Sequence, residues 1–260
     1  KHVDTGMGFE RLCAVLQGTR ENRMGQVTNY DTGVFTPIFD AIQKRTHAPK
    51  YMGTLPCDKS TIDNRQSTIM TDVSYRVIAD HIRCLTFALT DGAIPSNEGR
   101  GYVLRRILRR AVRYGRQYMN MHEPFLCDLV APLVEHMAVA FPELRTGPDK
   151  NRPRDNIKYV ADILRDEEAS FLKTLDRGIK LFAEAAENAR HNHNGRISGE
   201  DAFKLHDTYG FPIDLTELMA EEQGLTIDVG EYERLMDEAR TRARGLQKEP
   251  LGYVTWVDKG

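Results

Sequence analysis

No stretch of this 260-residue chain approaches the eighteen or so consecutive apolar residues that a membrane-spanning helix needs. The N-terminal sequence KHVDTGMGFER lacks the apolar segment of a secretory signal peptide, so the expected compartment is the cytoplasm, with no membrane partner. Cysteine is scarce. Cys13, Cys57, Cys84 and Cys127 lie far apart without a CxxC spacing, which gives neither a disulfide framework nor a zinc knuckle, and reduced thiols are expected. Internal repeats and low-complexity tracts are also missing. What remains is 40% hydrophobic and 28% charged, the composition of a globular chain large enough for one big unit or two ordinary ones.

The formal net charge of −2 conceals a strong segregation. Between Gly99 and Met119 stand seven arginines (Arg100, Arg105, Arg106, Arg109, Arg110, Arg113, Arg116) and no acid. Between Asp214 and Glu238 stand nine acids against Arg234 alone. One element is therefore strongly basic and another strongly acidic.

Periodicity predicts a mainly α chain. The opening residues read as a strand, a glycine turn at Gly6 and Gly8, and a helix through Phe9, Leu12, Val15 and Leu16 that stops at Gly18. A strand with no earlier partner points to a piece of something longer. A second helix is expected from a cap at Asp31 or Thr32 through Val34, Ile38 and Ile42, followed by a loop over residues 46–66. Asp72 is expected to cap a helix whose apolar face is Val77, Ile78, Ile82, Leu85 and Leu89. After the turn-rich Pro95-Ser96-Asn97-Glu98-Gly99 comes the arginine helix, then an apolar helix over 125–141 interrupted near Pro132. A long amphipathic helix opens at Asp155 and runs to about Arg190, with Ile157, Val160, Leu164, Phe171, Leu175, Ile179 and Phe182 as its stripe. Ser198 is a good N-cap for a short helix ending at Gly210, and two further helices are expected over 214–222 and 231–245.

On the arginine helix, at 100° per residue, Arg105, Arg106, Arg109, Arg110, Arg113 and Arg116 share a sector of about 140° opposite Leu104, Ile107, Leu108, Ala111 and Val112. Such a face is either solvated, paired with acids elsewhere, or laid against a phosphate backbone. The absence of interleaved glutamates favours the phosphate backbone. In Asp4-Thr5-Gly6-Met7-Gly8-Phe9-Glu10-Arg11, the glycines permit close backbone approach to a ligand. The helix N-terminus and Arg11 suit a phosphate, and Asp4 could hold an amine. Asn97 and Asp207 carry the donor and acceptor groups that can read base edges, although a turn residue and a late-helix polar residue would look the same. His81 reads as an interior histidine, and His191 with His193 lacks a third ligand nearby, so no metal is expected.

The stretch Asp4 to Leu12 resembles motif 3 of the class II aminoacyl-tRNA synthetases, and specifically of the alanine-specific family. Three further blocks resemble the same family in order along nearly the whole chain. They are Asn29-Tyr30-Asp31-Thr32 with Val34-Phe35; Ala79-Asp80-His81-Ile82-Arg83 continuing into Pro95 to Arg113; and Leu205-His206-Asp207-Thr208-Tyr209-Gly210-Phe211-Pro212 to Thr216. The resemblance implies the end of an α+β catalytic domain (1–66), a helical tRNA acceptor-stem recognition domain (67–250) and a linker (251–260). It assigns Asp4 to the alanine ammonium, Gly6 and Gly8 to the adenylate pocket, and Arg11 to the ATP phosphates, with Mg²⁺ shielding them. It assigns Asn97 and Asp207 to the G·U wobble pair of tRNA(Ala), beside an arginine helix (Arg105, Arg106, Arg109, Arg110, Arg113) on the RNA backbone. His206 stands where an aromatic residue often precedes this Asp. The resemblance also implies that motifs 1 and 2 would lie upstream and a zinc-bearing editing module downstream, so that this piece alone would be inactive and metal-free.

Overall fold

The computed structural model describes residues 8–23, 27–54, 64–149, 151–192 and 194–246. The chain divides into two compact units, Lys1–Lys173 and Thr174–Gly260. Asp4, Gly6, Cys57, His193 and the expected opening strand and closing linker lie outside the described residues.

Among its described residues, the regular elements of unit 1 are all helices. Helix α1 spans Phe9–Arg20 and α2 spans Thr36–Thr46. The second helix thus starts later than the sequence predicts. Asp31 turns its carboxylate back onto Thr28, accepting from the Thr28 amide at 2.9 Å and hydroxyl at 2.8 Å, and so closes a separate 3₁₀ turn over Asn29–Asp31. Pro37 then sits within the first turn of α2, where its missing N–H costs nothing.

Helix α3 spans Asn64–Thr90 and begins well before Asp72. Asp72 is no cap. It is buried inside α3, where its two carboxylate oxygens accept from the backbone amides of Met52 at 2.9 Å and Thr54 at 2.7 Å. A buried acid satisfied by two amides pins the preceding chain across the helix, which is why a charged residue survives there. Of the predicted apolar face, Ile78, Ile82, Leu85 and Leu89 are fully buried, while Val77 at its edge is half-buried.

Helix α4 spans Gly99–Tyr118 and packs on α3, α5 spans Leu126–Met137 with Pro132 inside it, and the short α6 spans Glu143–Thr146. Gly115 permits the close approach that seats α4 against the start of α5, because a Cβ there would meet the Phe125 ring at 2.4 Å. Helix α7 spans Asn156–Asn192, and its residues to Lys173 belong to unit 1. Asp155 caps it as expected, accepting from the Lys158 amide at 3.1 Å.

In unit 2, the rest of α7 is followed by β1 (Arg196–Ile197), α8 (Gly199–Tyr209), α9 (Ile213–Glu221), β2 (Thr226–Ile227) and α10 (Val229–Leu246). Strands β1 and β2 pair in parallel, Arg196 opposite Thr226 and Ile197 opposite Ile227. Two-residue strands leave no periodic trace, so the sequence does not foretell them. Ser198 caps α8, accepting from the Asp201 amide at 3.1 Å, and Gly210, at φ 70°, ends it. Gly178 of α7 makes room for Phe211, whose ring would lie 2.2 Å from a Cβ at that position.

Candidate nucleic-acid interface

Asn97 lies on an exposed turn between α3 and α4. The Ser96 hydroxyl donates to the Glu98 carbonyl at 2.8 Å, and the turn rests directly on the backbone of α4. A Cβ on Gly101 would fall 2.3 Å from the Ile94 carbonyl and 2.2 Å from the Ser96 hydroxyl, so only glycine lets the turn sit there. Asn97 is further held by Arg105, one of whose Nη atoms donates to its Oδ1. Arg105 in turn forks onto Glu167 of α7, Nε to Oε2 at 3.0 Å and Nη2 to Oε1 at 2.6 Å.

The arginine sector is therefore not the open cationic face that the helical wheel implies. Side chains of α7 reach it: Glu167 engages Arg105, and the Phe171 ring lies 5.2 Å from the Arg109 guanidinium. Burial beside Arg105 lowers the pKa of Arg109 from the ordinary arginine value. Arg113 is only 1% exposed, donates to Gln117 and Tyr118, and stacks 5.0 Å from the Tyr114 ring. A group so enclosed reaches a phosphate only by a rearrangement. Arg106 lies over Tyr102 at 5.8 Å. Arg110 is half-buried, has a buried Nε with no acceptor, and makes no ion pair among the described residues. His81 neighbours it on α3, and burial together with that positive charge pushes the imidazole down to about 4, leaving it neutral.

Asp207 is exposed on the last turn of α8, and its carboxylate has no hydrogen bond or ion pair among the described residues. Its surroundings are firm. Thr174 donates to the Tyr209 carbonyl at 3.0 Å, and Phe211 is fully buried. The His206 ring meets Tyr232 of α10 edge-on at 5.9 Å, so histidine fills the aromatic place before Asp207. Asn97 belongs to unit 1 and Asp207 to unit 2.

At the start of α1, Gly8 is the N-cap and carries no side chain to cap the first turn. Arg11 is exposed and has no ion pair among the described residues. A helix N-terminus with a glycine cap and an exposed guanidinium is a donor set that fits a phosphate. The neighbouring Glu10 accepts from Arg83 of α3 at 2.7 Å, which holds its carboxyl below the usual range and ties this turn to α3. Arg83 also lies over the Phe35 ring at 4.8 Å.

Sequence reasoning missed Glu10, Arg83 and Glu167. Each works through a partner on a distant element, and no local spacing marks such a pair.

Residues 1–254 match the family described as tRNA synthetases class II (A), and the chain belongs to that family. Over 253 residues it is 48% identical to the alanine–tRNA ligase of Akkermansia muciniphila, an alignment covering 96% of this chain and 25% of that protein. It is 48% identical over 257 residues to the mitochondrial alanine–tRNA ligase of Saccharomyces cerevisiae, covering 98% and 24%. Against the alanine–tRNA ligase of Chlorobaculum tepidum the identity is 49% over 260 residues, covering 100% and 26%. The chain spans about a quarter of the length of these relatives.

Proposed function

We propose that this chain is the tRNA-recognising part of an alanine–tRNA ligase. The whole enzyme activates alanine with ATP, releasing pyrophosphate, and then esterifies tRNA(Ala). Asp4 holds the alanine ammonium, Gly6 and Gly8 lie along the adenylate, and Arg11 neutralises charge on the ATP phosphates, which Mg²⁺ also shields. Residues 67–250 act as the acceptor-stem recognition domain. Arg106, Arg109 and Arg110 lie along the RNA backbone, while Asn97 and Asp207 read the G·U pair. The setting is cytoplasmic, as tracking of a fluorescent fusion in cells would check.

The observation that carries this reading is the mounting of Asn97. A turn rigidly seated on Gly101 holds a short amide in solvent at the entry of the basic helix α4. A mere turn former needs no such support from a neighbouring arginine. The test is binding of the 260-residue chain to acceptor-stem RNA hairpins that differ only in carrying G·U or G·C at the marked pair. Asn97→Ala and Asp207→Ala should each lower the preference for G·U by roughly ten- to a hundredfold, the range for removal of one direct base readout. Asp207→Ala also removes a negative charge, so the ratio of the two affinities is the quantity to compare. A chain that binds both hairpins equally, with or without these changes, is a general helical RNA-binding module rather than a base reader.

A further inference from the structure

Asn97 has one acceptor and one donor group on its amide, and the two are not equally available. The Oδ1 atom accepts from Arg105, two of whose other donors, on Nε and Nη2, are turned to Glu167. Both members of the Arg105–Glu167 pair are largely shielded, with side chains 18% and 21% exposed. The fork fixes the guanidinium plane, since two parallel N–H···O bonds leave it no rotation. The guanidinium in turn holds the Asn97 oxygen towards itself. A guanidinium has only donors, so the atom facing it must be the oxygen, and the Nδ2 group faces away.

We infer that Glu167, acting through Arg105, is the positioning residue that sets which hydrogen-bonding group Asn97 presents to the RNA: its NH₂ group, a donor for a base acceptor. This rests on the reading of Asn97 as a base-reading residue. Arg105 is thereby a support for specificity, and its charge is neutralised by Glu167 rather than offered to a phosphate. The arrangement also explains why the acid lies on α7. An acid on α4 itself would have neutralised the basic helix locally, whereas Glu167 reaches Arg105 from another helix.

The same pair of hairpins tests this in the 260-residue chain, with circular dichroism confirming that each variant is folded. Glu167→Gln removes the charged acceptor and frees the guanidinium. It should lower the G·U to G·C affinity ratio by roughly three- to tenfold, the effect of losing one oriented hydrogen bond, while any general rise in RNA affinity cancels in the ratio. Glu167→Asp keeps the charge but shortens the reach, and should give the same loss if Glu167→Gln proves unstable. Adding either change to Asn97→Ala should lower the ratio no further, since the group being positioned is already gone. Asn97→Asp keeps an oxygen for Arg105 and replaces the donor, so it should lose preference as fully as Asn97→Ala.

The outcomes separate the two ideas. If Asn97→Ala lowers the ratio and neither Glu167 variant does, the positioning role is overturned while base reading by Asn97 stands. If Glu167 variants lower the ratio equally in wild-type and Asn97→Ala backgrounds, Glu167 acts by another route and the inference fails. If Asn97→Asp keeps the preference, the NH₂ group is not the reader. If Asn97→Ala itself has no effect, base reading by Asn97 falls, and the positioning role with it.

Discussion

Arg113 and Arg110 lie within one helical sector, three positions apart, and have opposite fates. Arg113 is enclosed, with Gln117, Tyr118 and the Tyr114 ring around it, while Arg110 has an Nε without an acceptor and makes no ion pair among the described residues. Replacing Arg113 with Ala should cost stability, roughly 2–4 kcal/mol, because it leaves a cavity and strands buried polar partners. Urea denaturation would measure it, and the salt dependence of RNA binding should not change. Arg110→Ala should do the reverse. Stability should stay close to wild type, while the slope of log affinity against log salt falls by about one unit, the share of a single neutralised phosphate. The wheel separates apolar from cationic residues on α4 but cannot distinguish these two arginines. Arg113 is enclosed by side chains of its own helix, whereas Arg105 and Arg109 are met by Glu167 and Phe171 of α7.

Helices themselves are more legible than their caps. The stripes of α3 and α7 emerge as predicted because a 3.6-residue period survives any local exception. An acid before an apolar run is the usual signal of a cap, yet the Asp72 carboxylate serves two amides of a distant strap. Glu168 is the companion case. It falls on the buried stripe of α7, between Leu164 and Phe171, and accepts from the Phe125 and Leu126 amides at 3.1 Å each, closing the start of α5. Burial pushes its carboxyl up to about 8 from the ordinary 4.5, and the two amides pull against that shift. A folded-state value above the unfolded one means that the folded protein holds the extra proton. The associated stability is therefore complete below about pH 4.5 and is lost as pH rises through about 8. Glu168→Gln, which cannot ionise, should flatten the decline in thermal stability across that window. An unchanged pH profile would mean that the carboxylate is ionised in the fold, its charge carried by the amides of α5.

For the whole molecule, charge is sorted by unit: the arginine helix belongs to unit 1 and the run of nine acids from Asp214 to Glu238 to unit 2. Were all seven arginines to neutralise a phosphate, duplex binding would show a salt slope of about −6. With Arg105 paired to Glu167 and Arg113 enclosed, the slope measured for this chain on an acceptor-stem hairpin should be distinctly shallower. A slope of full size would mean that both arginines leave their partners on binding. Sequence reading located the basic helix and both base-reading candidates, since each lies within a contiguous block. The division into compact units after Lys173 is marked by no such block. Compactness depends on pairings far apart in sequence, which composition does not record.

The two short strands of unit 2 fasten the chain at both ends of a closed loop. The Thr226 amide donates to the Gly195 carbonyl and the Asp228 amide to that of Ile197, both at 2.9 Å, and Glu231 accepts from the Gly199 amide at 2.8 Å. Everything from α8 to β2, Asp207 included, lies inside that loop. Loop closure entropy grows only logarithmically with length, about 0.6 kcal/mol for each doubling, so a ring already tied at its neck tolerates lengthening. The exposed turn at Glu222, Gln223 and Gly224 is consequently a place where evolution, or an experimenter grafting a tag, can add residues and leave the ring fastened.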